Sequence, residues 1–220
     1  MANPHFQNMI LWAGNTDATE AKKNQPMFLP YPSDQTFYGY FNDFMTYNSG
    51  DWTITTTEAG GGDASEAVTS SAGGALLITN DAADNDADFF NLKGEGFKLS
   101  SSKKAYFSAR FKVSDATQSD FVMGLQITDT TPLAVSDGVF FIKDDGDTNL
   151  DFIVEKDSTS TDTTAIHTME DDTFVTTSFF IDPDRAAVYY SINNGTPVKV
   201  ANTNLPDDEE LTISFGIQNG

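Results

Sequence analysis

The stretch 104-KAYFSARFKV-113 sets the terms for the rest of the chain. Ala105, Phe107, Ala109, Phe111 and Val113 fall on one side of an extended backbone, and Tyr106, Ser108, Arg110 and Lys112 fall on the other. Strict period-two alternation of this kind describes a strand with one buried face. From Tyr38 onward, similar β-branched and aromatic runs alternate with Gly, Asp, Asn and Ser clusters. Strands are expected at 41–47, 51–58, 75–80, 88–93, 104–113, 121–128, 138–143, 150–156, 162–169, 174–182, 186–193, 197–201 and 210–218. The small, polar segment 59–74 reads as a long loop. No segment shows a helical stripe. Asp145-Gly146 and Asn194-Gly195 each separate two alternating runs, the signature of a two-residue type I′ hairpin turn. A dozen or so antiparallel strands without helices predict a two-sheet sandwich, since a single twisted sheet of that size tends to split or curl.

Residues 1–37 follow a different logic. Phe6, Met9, Ile10, Leu11, Trp12, Phe28, Leu29 and Tyr31 are interspersed with prolines at 4, 26, 30 and 32 and show no period. Proline at such positions favours extended backbone. The domain reading is therefore an extended arm, 1–37, ahead of a β-sandwich domain, 38–220. The eight apolar residues are candidates for binding a partner, each contributing about 1.5–3 kcal/mol when fully buried.

Charge narrows the partners. Against 33 Asp+Glu the chain carries 12 Lys+Arg, a formal net of −21. Such a surface repels phosphate backbones and anionic bilayers, so neither nucleic acid nor membrane is an expected partner. The chain has no cysteine, which removes disulfides and thiolate chemistry. MANPHFQNMILWAG lacks a basic n-region and a long apolar run, so a soluble protein made in a cytosol is expected.

Several motifs carry chemistry in principle. Asp145, Asp147, Asn149 and Asp151 have the oxygen spacing of an EF-hand loop, but Leu150 occupies the glycine position and Lys156 the bidentate glutamate position. In 78-ITNDAADNDADFF-90, Asp84, Asp86 and Asp88 would project to one side of an extended backbone. The reading adopted is a solvated acidic lip with no metal site and no cofactor; a Ca²⁺ ion there is the alternative the spacing leaves open. His5 lies in the arm and His167 in a strand, with no nucleophile elbow or zinc motif beside them. Glu155-Lys-Asp157-Ser-Thr-Ser160 begins like the Glu-x-Asp-x-x-Glu strand motif of jelly-roll glycosidases and ends in serine, so no catalytic residue is assigned and no enzyme is expected. Trp52, Tyr38, Tyr40, Tyr106, Tyr189 and Tyr190 are the rings available to stack on a sugar. Asn194-Gly-Thr196 matches a glycosylation acceptor and reads as a turn.

The segments AYFSARFKVSDATQSDFVMGLQITDT, DGVFFIKDDGDTNLDFIVEKD, AVYYSINNGTPVKV and LPDDEELTISFGIQNG resemble concanavalin A-like, laminin-G-like jelly-roll domains. More narrowly, Asp43 to Gly220 is similar to structural proteins of tailed, notably marine, bacteriophages. The resemblance implies an all-β jelly roll and a virion protein that decorates or cements the capsid exterior and is assembled in the bacterial cytoplasm. It also implies the major capsid protein and neighbouring copies as partners, in a homo-oligomer clasped through the arm. The wider fold's calcium site does not transfer residue by residue. The alternative is a lectin-like module of a tail or head fibre that binds host-surface glycans.

Overall fold

The computed structural model describes residues 39–59, 62, 64–100 and 103–220. The arm residues Phe6, Met9, Ile10, Leu11, Trp12, Phe28, Leu29 and Tyr31 lie outside that set, as do His5 and Tyr38. Among the described residues fourteen strands follow in order: β1 (Trp52–Thr57), β2 (Ser65–Val68), β3 (Leu76–Thr79), β4 (Ala87–Leu92), β5 (Phe97–Lys98), β6 (Ala105–Phe111) and β7 (Ser119–Gln126). After them come β8 (Gly138–Lys143), β9 (Asn149–Lys156), β10 (Thr159–Thr168), β11 (Val175–Asp182), β12 (Ala187–Ile192), β13 (Val198–Ala201) and β14 (Glu210–Asn219). The only helical pieces among the described residues are three-residue 3-10 turns.

The strands form a large sheet in the order β1-β4-β14-β7-β8-β9-β10, with β5 beside the start of β14, and a small sheet in the order β13-β12-β11-β6. Every pairing is antiparallel, and β2 and β3 form a separate hairpin. This is the all-β, concanavalin A-like jelly-roll sandwich expected.

The alternation in each strand decides which residues meet between the sheets. From the small sheet come Phe107, Phe111, Phe179, Ile181, Val188, Tyr190 and Val200; from the large sheet come Phe121, Leu125, Phe141, Leu150, Phe152 and Val154. Rings bridge the layers directly: Phe111 on Phe121 at 4.0 Å, Phe152 on Tyr190 at 5.3 Å and Phe152 on Phe179 at 5.9 Å between centroids. A second core forms where Trp52 meets Phe90 and Phe215, the last two stacked 4.9 Å apart.

On the outer face of the large sheet, mid-strand glycines are filled by neighbours. A Cβ on Gly124 of β7 would lie 2.5 Å from the Cα of Phe140 in β8, and one on Gly216 of β14 would lie 2.5 Å from the Phe89 ring. These two phenylalanines, with Ala87, Val122 and Val135, form a third apolar cluster on that outer face.

Several local expectations are corrected. Residues 41–47 contain no strand, the 59–74 segment contains β2, and the two-residue β5 had no sequence signal. Between β8 and β9 only Gly146 has positive φ, at 80°, so this is a five-residue connection rather than a type I′ turn. Between β12 and β13 the positive-φ pair is Asn193-Asn194, and the Gly195 N–H closes the turn on the Ile192 carbonyl at 2.9 Å. The type I′ geometry is present, one residue earlier than the Asn-Gly pair implied. Asp157 and Ser158, at φ 50° and 58°, make a further such turn between β9 and β10.

The acidic run is not a solvated lip. Asn85 (φ 66°) sits in a turn, and Asp86 and Asp88 beyond it are each 1% exposed. The Asp86 carboxylate accepts the Ala59 N–H and the Asp88 carboxylate accepts the Thr56 hydroxyl. The end of β14 clamps the same turn, with Asn219 N–H on the Asp86 carbonyl at 2.9 Å and Asn85 N–H on the Asn219 carbonyl at 2.9 Å. Polar groups that leave water need such partners, and here the acids are acceptors that tie the turn down. Burial raises the Asp88 carboxyl above its ordinary range; the Thr56 hydrogen bond opposes this, and Glu66 and Glu58 add to the rise.

Two outcomes follow from these contacts. Gly124→Ala has no room beside the Phe140 backbone and should cost about 1–3 kcal/mol of stability in urea unfolding. For Asp88 the raised folded pKa means its favourable contribution is complete below the ordinary aspartate pKa and is lost as pH rises through the folded value. Asp88→Asn should therefore unfold at the same or higher urea concentration than wild type at pH 7, and lose that advantage as the pH falls toward 4.

Candidate functional site: an acid-lined groove on the large sheet

The turn at Asp157-Ser158 folds β10 back on β9, so that Glu155 stands opposite Ser160 and Ile153 opposite Asp162. On the other side of β9, Gly138, Phe140 and Ile142 of β8 stand opposite Glu155, Ile153 and Asp151. Directly opposed residues in an antiparallel pair share a face. The inward positions of β9 are Leu150, Phe152 and Val154, all fully buried. Asp151, Ile153 and Glu155 consequently point away from the core, together with Phe140, Ile142, Ser160 and Asp162.

These side chains, with Leu133, Asp144 and Thr164, line an open groove of about 300 Å³. Its floor is apolar: Phe140 belongs to the outer-face cluster, and Ile142, Ile153 and Leu133 pack against it. Its walls are acidic. β10 carries a bulge between Thr163 and His167, where Ala165 adopts φ 53° and donates its N–H to Asp151 at 2.7 Å. That bond anchors the Asp151 carboxylate at one end of the groove.

The acids raise one another. Burial lifts the Glu155 carboxyl, with the charges of Asp162 and Asp137 adding to it. Burial also lifts Asp151, opposed by the Ala165 N–H and reinforced by Asp144, Asp147 and Asp162. A partly desolvated carboxylate beside an apolar floor is a strong acceptor for hydroxyl donors, because it has lost part of its competing hydration.

The structure separates the glycosidase-like motif. Glu155 is on a strand and lines the groove, Asp157 is in the hairpin turn, and Ser160 has crossed to the next strand. The EF-hand-like oxygens separate too: the Asp147 carboxylate caps the Asn149 N–H at 2.6 Å, the Asp145 N–H donates to Asp120 at 2.8 Å, and Asp151 faces the groove. Among the described residues, no group of three or more His, Cys, Asp or Glu is placed to hold a metal ion.

The proposed stacking rings scatter. Trp52 (3% exposed) and Tyr190 (8%) are core residues, whereas Tyr106 (49%) is open to solvent. Tyr189 is half-buried and Tyr40 is exposed. His167 is half-buried on the edge strand β10, outside the groove lining. Sequence reasoning missed Asp144 as a neighbour of Asp151 and Asp162 as a neighbour of Glu155. The available signal was the outward set of LDFIVEK, which becomes a site only once the unannounced Asp157-Ser158 turn places TSTDT beside it.

No protein-family model matches the chain, and neither does any curated protein. Solved structures do. A protein of unknown function from Shewanella oneidensis MR-1 superposes with a TM-score of 0.54 at 16% identity, covering 89% of this chain and 88% of its own. The Emp46p carbohydrate recognition domain in its potassium-bound form gives 0.51 at 12%, covering 81% and 87%. An endo-1,3-beta-glucanase from Streptomyces sioyaensis gives 0.51 at 15%, covering 80% of each chain. At these identities the likeness establishes the fold: a jelly-roll sandwich shared with carbohydrate-recognition and glucanase domains.

The mutual effect of the acids is measurable. Asp162→Asn removes one of the charges that raise Glu155, so the Glu155 carboxyl, followed by carbon NMR, should titrate at lower pH than in wild type.

Proposed function

We propose that the chain is a non-catalytic, lectin-like module that binds a glycan in the groove of β8, β9 and β10. The observation that carries this reading is the pairing of an apolar floor with the partly desolvated carboxylates of Asp151 and Glu155, beside the exposed Asp162, on one face of the sheet. A pyranose has the matching chemistry, with C–H groups on its ring face and hydroxyl donors around its rim. Ile142 and Ile153 would take the ring face, and the three carboxylates would accept from the hydroxyls. The carbohydrate-recognition and glucanase domains that share the fold support a carbohydrate as the ligand class. In favour of binding without hydrolysis, Asp157 occupies a turn and Ser160 stands where the last carboxylate of the glycosidase motif is needed. The capsid-decoration reading rests on resemblance and on the arm at 1–37, and has no counterpart among these structural neighbours.

Calorimetric titration with laminari-oligosaccharides and mixed-linkage β-glucan oligosaccharides tests the proposal. Wild type should bind, and Glu155→Gln with Asp162→Asn should bind about tenfold more weakly or worse. Binding should also decline as the pH falls below neutral, since protonation removes the charged acceptors. Unchanged affinity in the double variant, or silence across a broad glycan array, overturns the site; release of reducing ends overturns its non-catalytic character.

A further inference from the structure

The small sheet presents a second surface of opposite character. Its outward residues fall in registered rows. Tyr106 of β6, Phe180 of β11, Tyr189 of β12 and Lys199 of β13 are paired in sequence from one edge strand to the other. Ser108, Ser178 and Ser191 form the adjacent row, and Arg110 pairs with Thr176 in the next. The aromatic row is open: Tyr106 is 49% exposed, and Phe180 and Tyr189 are half-buried with their backs to the core.

The charge of this face departs from that of the chain. The four strands carry Arg110 and Lys199 and one acid, Asp182, which is 5% exposed and engaged by Lys104 at 3.9 Å and Arg185 at 3.5 Å. Arg110 lies over the Phe174 ring at 3.7 Å, a cation–π contact that orders its guanidinium one row beyond the serines. In a chain of net charge −21, a face cleared of free carboxylates and set with an ordered arginine is complementary to an anion.

We infer that the outer face of the small sheet is a second binding surface, for an extended acidic polysaccharide, lying across the strands along the Tyr106–Phe180–Tyr189 row. Neighbouring strands are about 4.8 Å apart, close to the advance per sugar of an extended β-linked chain. Successive rings can therefore stack on successive aromatics, and the row ends at sheet edges, so a polymer can run past both. Lys199 ends the row and Arg110 stands on the same face beyond the serines, so the carboxylate or sulfate groups of the sugars meet one cation at the row's end and a second to its side. This surface is independent of the groove, which lies on the opposite sheet and has the opposite charge.

Calorimetry of the full chain against β-linked oligomannuronate, cellulose sulfate and uncharged cellohexaose provides the test. Binding to either anionic polymer, weakened about tenfold by Tyr106→Ala with Tyr189→Ala, supports the proposal, and the polymer preferred identifies the anionic group. Arg110→Ala with Lys199→Ala alters exposed side chains only; it should weaken binding similarly and flatten its dependence on salt. Glu155→Gln should leave this binding intact while impairing the groove. Absence of binding to both anionic polymers, equal binding of cellohexaose, or indifference to both pairs of substitutions overturns it.

Discussion

The contact between the two sheets depends on aromatic rings that reach across the layer, and the rest of the molecule follows from it. Phe152 of the large sheet touches both Phe179 and Tyr190 of the small one, and Phe111 stacks on Phe121. Large rings on the inward positions of facing strands supply most of the burial that holds the layers together. Because side chains alternate, committing one face of each strand to this seam leaves the other face free. The groove and the aromatic row are the two surfaces so released. Both are carried by strands, which hold side chains more precisely than loops do.

Charge is distributed between these surfaces instead of being spread evenly. Asp144, Asp151, Glu155 and Asp162 gather on the outer side of the large sheet, while the outer side of the small sheet carries Arg110 and Lys199. Surface charges more than about 8 Å apart are largely screened at physiological ionic strength. Each face thus presents its own local potential despite the net −21. Burial of Asp86 and Asp88 under hydrogen bonds from Ala59 and Thr56 shows that part of the acidity has a structural use and reaches neither face.

The period-two alternation made the sandwich legible: residues 104–113, 138–143, 150–156 and 210–218 fold where the pattern placed them, to within a residue or two at most ends. What escaped was decided by tertiary contacts. The run Asp84–Asp88 looks solvated in isolation because nothing local announces that Ala59 and Asn219 will donate to Asp86 and Thr56 to Asp88. Residues 41–47 have the aromatic composition of a strand, yet they form none, because composition alone does not make a ladder. The groove was hidden because Asp-Ser is an unremarkable pair for a type I′ turn, and only that turn brings Asp162 next to Glu155. Tyr106 and Arg110 were visible as the outward face of their strand, yet their alignment with Phe180, Tyr189 and Lys199 is a matter of register between strands distant in sequence.

The geometry also constrains how the two proposed surfaces can cooperate. They lie on opposite sides of a core in which stacked sheets are about 10 Å apart, facing away from each other. A single short oligosaccharide cannot occupy both, so neither surface assists the other within one ligand. A long polymer on the small sheet and a separate glycan in the groove can bind at once, and their affinities should be nearly independent because the intervening core is close-packed and has one arrangement. A module with both proposed surfaces would join two glycans of different charge, and its avidity would grow with the number of copies displayed rather than with coupling inside any one copy.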